Sequence, residues 1–218
     1  MRNTPLVNDE FYHIFNRGVD KRKVFLNEKN YLKFLAGMVV FNDVKLTGHL
    51  AEKAKLSFAE IRNLALDRDM RQPLVEIVAY CLNPNHYHLI LKQLENDGIE
   101  KYMHRLGTSY TKYFNIKNKR SGSLFQGTFK SVHIGSNEQL LRTSVYVNCN
   151  SEIHGIAPAD KYLWSSFSEY AKRKNVFCNP ESITGDFKKP NDYLKFAKRT
   201  LPEMKNQKEL LKELESEA

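Results

Sequence analysis

Thiols are scarce in this chain. Its 218 residues include three cysteines, Cys81, Cys149 and Cys178, and no two of them stand at CxxC spacing. An odd number at such distances argues against a disulfide framework and implies a reduced, intracellular setting. Long apolar runs are missing too: no stretch reaches the roughly 18 residues a membrane span needs, and the start, MRNTPLVNDEFYHIF, has no apolar signal core. A cytoplasmic protein is expected. There is no internal repeat and no low-complexity segment.

What is abundant is positive charge. Lys and Arg number 34 against 25 Asp and Glu, a net charge of +9, with 11 Tyr and 13 Phe among them. Such a balance favours a polyanionic partner through counterion release, and aromatic rings between cations suit the stacking of unpaired bases. Hydrophobic residues at 41% are enough for a core.

Along the chain, residues 10–17, EFYHIFNR, alternate as a strand and stop at Asn16-Arg17-Gly18. From Asn27, Tyr31, Phe34, Leu35 and Met38 recur at helical spacing, with Asn27 as N-cap. Residues 44–72 are polar and weakly periodic and read as a helical insertion or loop. LVEIVAYCL (74–82) and HYHLILKQ form two strands around the turn Asn83-Pro84-Asn85. A helix over about 98–116 follows, cationic on one side. Then come a Ser/Gly loop, the strand TFKSVHI, and a helix capped by Ser136. Two strands joined by so short a turn argue for an antiparallel α+β sheet rather than a doubly wound parallel one. Residues 1–175 are expected to form one domain, and 176–218 a charged, partly helical tail with a solvated helix.

His86-Tyr87-His88 opens a strand, where residues i and i+2 share a face, so two imidazoles project side by side as half of a metal site. Tyr146 and Asn150 lie four apart on the late helix, hence one turn from each other. An amide oxygen is a hard ligand suited to Mg²⁺ or Mn²⁺, and a phenol can attack a phosphate held by the same ion.

Four ordered segments, AYCLNPNHYHLIL, RSGSLFQGTFKS, LLRTSVYVNCN and LWSSFSEY, resemble the REP-associated tyrosine transposases and their relatives among the single-tyrosine HUH transposases. The resemblance runs from about Phe11 to Tyr170. It implies a ferredoxin-like antiparallel sheet with helices packed on it. It also implies His86, His88 and Asn150 as ligands of Mg²⁺ or Mn²⁺, and Tyr146 as the nucleophile that forms a 5′-phosphotyrosine with single-stranded or hairpin DNA. Asn16, Arg17 and the loop from Arg120 to Lys130, which includes Gln126, fall where the family contacts DNA. Arg105, Lys112, Lys117 and Lys119 could extend that path, with Tyr110 or Phe125 for stacking. Relatives act as homodimers or as monomers, so the resemblance leaves the oligomeric state open.

Departures from the family pattern are Tyr87 at the middle HUH position, Thr128 where relatives carry a basic residue, and Asn150-Ser151 where they read Asn-Pro. Tyr87 is expected to point away from the site. Three alternatives stay open: a DNA-binding protein of this fold that no longer cuts, a zinc hydrolase in which His133 or His154 completes the ligand set, and a nucleophile at Tyr113 or Tyr110.

Overall fold

Alternation in the first strand and the dense apolar run around Pro84 build the centre of one sheet. The computed structural model describes residues 5–45, 57–67, 72–172, 174–185 and 187–216. Strands β1 (Phe11–Arg17), β2 (Val75–Asn83), β3 (His86–Gln93) and β4 (Lys130–Ile134) lie in the order β2-β3-β1-β4, every neighbour antiparallel. Helix α1 (Glu28–Val40) connects β1 to β2, and α3 (Gly98–Lys117) connects β3 to β4. This is the split βαββαβ arrangement of a ferredoxin-like fold. Helix α2 (Phe58–Leu66) lies inside the expected insertion and carries a capping box in which Ser57 and Glu60 bond each other's backbone. The rest of that expectation, 46–56 and 68–71, falls outside the described residues.

The period of two in β1 and β3 decides what each face of the sheet carries. Tyr12, Ile14, Tyr87, Leu89 and Leu91 are buried on the side covered by α1 and α3, where Tyr87 meets Phe34 at 5.2 Å and Phe125 at 5.6 Å between ring centroids. His13, Arg17, His86 and His88 take the opposite side, under helix α4 (Asn137–Asn148). Tyr87 therefore points away from the histidines, as its position in the strand requires.

At the other end of the turn, Pro84 is a structural anchor: its carbonyl accepts Val24 N at 2.7 Å and Phe25 N at 3.0 Å. Gly18 sits where β1 turns into a short 3-10 segment, and a Cβ there would run into the Arg22 carbonyl oxygen. The outer edge of β2 is closed by the Trp164 segment, with Leu82 N bonded to Trp164 O and Ser166 N to Tyr80 O, both at 2.9 Å. Covering an edge removes a template for unwanted pairing. Trp164 itself stacks on Tyr31, 4.5 Å between centroids.

Ser136 caps α4 by accepting Gln139 N at 3.2 Å. That helix breaks at Cys149, and the chain resumes as the single turn α5 (Asn150–Ile153). Two short helices follow, α6 (Phe167–Lys172) and α7 (Glu181–Thr184), before the long α8 (Pro190–Ser216). The solvated helix expected in the tail is solvated on one side only. Tyr193, Ala197, Thr200 and Met204, spaced three and four apart, are buried as α8 packs on α4, α5 and α6. Among the described residues no helix is long and apolar enough to cross a membrane.

Candidate active site on the sheet face under α4

His86 and His88 open β3, paired in register with Arg17 and Phe15 of β1 and with Asn83 and Cys81 of β2. Their rings stand edge to face, centroids 5.1 Å apart. Each residue is 7% exposed, so each imidazole sits where its charged form is poorly solvated. Burial holds His86 at a pKa of about 4, and pushes His88 well below the ordinary imidazole value, with His13, His86, His154 and Arg17 adding to the effect. Both are neutral at physiological pH, the state in which an imidazole can be a ligand.

One proton on His86 is fixed by its neighbours. Nδ1 lies 2.6 Å from Asn85 Oδ1, an acceptor, so Nδ1 carries the hydrogen and Nε2 keeps its lone pair. That lone pair faces Asn83 Nδ2 at 2.9 Å and stands 3.1 Å from Asn150 Oδ1. Asn83 Nδ2 also donates to Asn150 Oδ1 at 2.5 Å. Two acceptors thus converge on one amide nitrogen. Ligands at right angles about 2.1 Å from one ion are about 3.0 Å apart, so the pair has the spacing of two sites in an octahedral shell. Asn150 Nδ2 is buried without a hydrogen-bond partner, which leaves its amide only partly satisfied by the protein. The donor set suits a hard divalent ion. Among the described residues no three His, Cys, Asp or Glu gather as a metal cluster, so the third ligand would be this amide oxygen.

Tyr146 lies one turn before Asn150, half-buried, its ring edge-on to His88 with centroids 5.4 Å apart and to His13 at 5.8 Å. Burial raises its pKa, and the nearby Asn150 side chain works against that rise. His154, four residues further, meets His86 at 4.8 Å between centroids. The break at Cys149 therefore still delivers Tyr146, Asn150 and His154 to one side.

The alternatives fare unequally. His133 packs at a tilt, 5.3 Å between centroids, against Tyr12, whose side chain belongs to the face turned from the histidine pair, and bonds Glu10 at 2.9 Å; it cannot join His86 and His88. Tyr110 is 2% exposed with its hydroxyl on Val24 O at 2.6 Å, and Tyr113 is bonded by Lys117 at 3.1 Å. Both belong to α3, across the sheet, so Tyr110 is a core residue and not a stacking platform. Its ring fills space between Phe25 and Phe34.

The expected DNA contacts separate into groups. Arg17 lies beside His86, and its Nε is buried without a partner. Lys130 is exposed opposite Phe15 on the histidine face, and Gln126 N is bonded to Arg17 O at 2.8 Å. Asn16 and Lys112 line a groove of about 960 Å³ between α3 and the loop 123–129, together with Phe125 and Thr128. Asn16 holds that loop through Gly127 O at 3.2 Å. Arg120 bonds Asn115 Oδ1 at 2.6 Å and Ser123 O at 2.9 Å, so it braces the same loop. Arg105 is brought to neither surface; its guanidinium is held by Asp43 O at 2.7 Å beyond the end of α1.

Sequence reasoning missed His13, Asn83 and Lys208. Lys208 of α8 bonds Ile153 O at 2.8 Å and contributes to the lowered pKa of His86. Asn83 stood in the quoted turn but as a turn residue. For His13 the signal was its place in β1, usable only with the strand order known.

Comparison with known proteins adds three findings. The family described as "Transposase IS200 like" matches residues 53–150. No curated protein matches the chain. A solved structure, described as the REP-associated tyrosine transposase bound to a REP hairpin, has 15% identity and a TM-score of 0.53, covering 79% of this chain and 86% of its own. In the sequence of its central segment and in the fold that carries it, this chain resembles the IS200-like, single-tyrosine transposases.

Proposed function

We propose that the chain is a metal-dependent DNA strand-transferase that cuts single-stranded or hairpin-flanking DNA and rejoins it through Tyr146. The observation that carries this reading is the convergence of the His86 Nε2 lone pair, the Asn150 amide oxygen and the edge-on Tyr146–His88 pair on one sheet face. The solved structure of similar fold holds a REP hairpin, which supports a hairpin or its single-stranded flank as the substrate.

His86, His88 and Asn150 would hold Mg²⁺ or Mn²⁺, which supplies Lewis-acid neutralisation of the phosphate charge. Tyr146 Oη attacks the scissile phosphorus in line, and the bond from phosphorus to the 3′ oxygen breaks. The products are a 5′-phosphotyrosine and a free 3′-OH, which carries away one proton in place of the one the phenol gives up. Another 3′-OH reverses the step, so no nucleotide cofactor is required. Arg17, with its buried unpaired Nε, suits an anionic phosphate beside His86. Lys130 extends positive charge along the same face. The groove holding Asn16 and Lys112 is open and lined mostly by apolar surface with Lys112 beside it, fitting the bases and backbone of a flanking strand. One copy of the chain contains every group used here, so a monomer suffices.

The test is incubation with Mn²⁺ and single-stranded DNA bearing hairpin ends, followed by denaturing electrophoresis. The expected result is an SDS-resistant protein–DNA adduct, lost with chelator and in Tyr146→Phe but kept in Tyr113→Phe. DNA that binds firmly yet never yields an adduct would instead identify a binding protein of this fold.

A further inference from the structure

His13 has no part in the chemistry above, yet it touches the site from β1. Its Nε2 lies 2.8 Å from His88 Nδ1, and the two rings are nearly parallel, centroids 5.0 Å apart and planes at 19°. The contact is a diagonal one across β1 and β3, since His13 is opposite Ile90 and His88 opposite Phe15. Phe15 closes the other side of the His88 ring at 5.7 Å. His88 therefore has little freedom to turn.

A hydrogen bond between two neutral imidazoles contains one proton, and its owner decides what His88 can do. If His13 donates, His88 accepts at Nδ1 and must carry its own hydrogen on Nε2, leaving no lone pair for a ligand. If His88 donates from Nδ1, its Nε2 is left with the lone pair. Among the described residues no protein acceptor bonds His88 Nε2, so nothing in the protein holds a hydrogen there, whereas His13 Nε2 stands ready to accept one from Nδ1. On the neighbouring ring, Asn85 selects the matching tautomer of His86. Each histidine of the pair would then have its own acceptor at Nδ1.

We infer that His13 is a positioning residue that accepts the Nδ1 hydrogen of His88 and so presents His88 Nε2 as a metal ligand. This rests on the metal reading of His86, His88 and Asn150 given above. Outer-sphere acceptors of this kind orient a ligating imidazole and fix its tautomer.

The test uses the full chain without DNA. Ring-nitrogen NMR of the metal-free protein is expected to show His88 protonated on Nδ1 in the wild type and in His13→Gln, whose side-chain oxygen can still accept. In His13→Phe the two tautomers should mix. Calorimetric titration with Mn²⁺ should then show affinity about 10- to 100-fold weaker in His13→Phe, the usual effect of losing such a partner, and near wild type in His13→Gln. Melting curves of both variants check that they fold; should His13→Phe not fold, the wild-type tautomer and the His13→Gln titration decide. A wild-type His88 protonated on Nε2 overturns the inference. So does His13→Phe that binds Mn²⁺ as the wild type does while His88→Ala does not, and that result leaves the metal reading intact. His88→Ala binding as tightly as the wild type overturns both.

Discussion

The ring of Tyr146 stands edge-on to that of His88, with centroids 5.4 Å apart and planes at 87°. The contact belongs to the ring, not to the hydroxyl, and this separates stability from chemistry. Tyr146→Phe retains the packing, so its melting temperature should stay within about 2 °C of the wild type, as expected for a change well under 1 kcal/mol in a chain of this size. Affinity for single-stranded DNA should also persist, while adduct formation falls below detection. Loss of binding along with the adduct would mean that the hydroxyl serves recognition rather than attack.

Asn150 offers a second separation. Its oxygen faces both His86 Nε2 and the Asn83 amide. Asn150→Ala should weaken Mn²⁺ binding at least about tenfold, because a direct ligand is removed. Asn150→Asp keeps an oxygen in place and can still accept from Asn83, so it should bind Mn²⁺ at least as well as the wild type. Calorimetry on the two variants, without DNA, reads the difference; equal affinities would place the ion elsewhere.

Acid should unsettle the site before it charges it. An unfolded imidazole takes up a proton near pH 6.5, whereas folded His13 and His86 resist until about 4 and His88 until lower still. Between about 6.5 and 4 the unfolded chain binds more protons, so stability rises with pH and is lost as pH falls. Glu169, whose pKa burial raises, acts in the opposite sense above its ordinary value, but one carboxyl faces three rings. Melting temperature should therefore drop from pH 7 to pH 4.5, and less steeply in His13→Gln. Parallel profiles for the two proteins would show that His13 is not held neutral by the fold.

Much of this was legible in the sequence because it is local. The strand that opens with His86 and His88, the amphipathic α1 and the Ser136 cap each follow from periodicity or a single hydrogen bond within a few residues. The one-turn spacing of Tyr146 and Asn150 survives even the break at Cys149. What was hidden depends on who stands beside whom. His13 meets His88 only because β1 lies beside β3, and Asn83 meets Asn150 only because α4 and the α5 turn that follows it pack over β2. Tyr110 looked available because a helix spacing tells which residues share a face, not whether that face is covered. The tail shows the same limit: Tyr193 is fully buried because Ser144 and Asn148 of α4 reach its hydroxyl, at 3.2 and 2.8 Å.

The cations should divide as their partners do. Lys112 and Lys130 are exposed, and removing either to Ala should weaken single-stranded DNA binding while lowering the salt slope by about 0.7 for each phosphate no longer neutralised. Arg105→Ala should leave DNA affinity unchanged, since its guanidinium is held by the Asp43 carbonyl. Arg120→Ala removes two hydrogen bonds that brace the loop, so its binding defect should come with a lower melting temperature. A salt titration of the four variants distinguishes a phosphate ligand from a brace.

Glu169 tests how the chain beyond the sheet is fastened. It is 6% exposed, and one carboxylate oxygen accepts the backbone N–H groups of Val176, Phe177 and Cys178 at 2.8, 3.0 and 3.2 Å. The other accepts the Tyr80 hydroxyl at 3.3 Å. Burial opposes the charge and the three backbone donors favour it, so the carboxylate is matched to this loop more by geometry than by solvation. Glu169→Ala leaves those donors without their acceptor, at a cost of at least about 2 kcal/mol, or a fall of roughly 4–8 °C in melting temperature for a chain this long. Glu169→Gln is a sharper probe: its amide can keep one acceptor oxygen but must turn an N–H₂ toward the loop or toward Tyr80. Turning it toward Tyr80, whose hydroxyl oxygen can accept, keeps the loop bonded and should lose less than Ala. A Gln variant as unstable as Ala would show that the negative charge itself, and not the acceptor, holds residues 176–178 against β2.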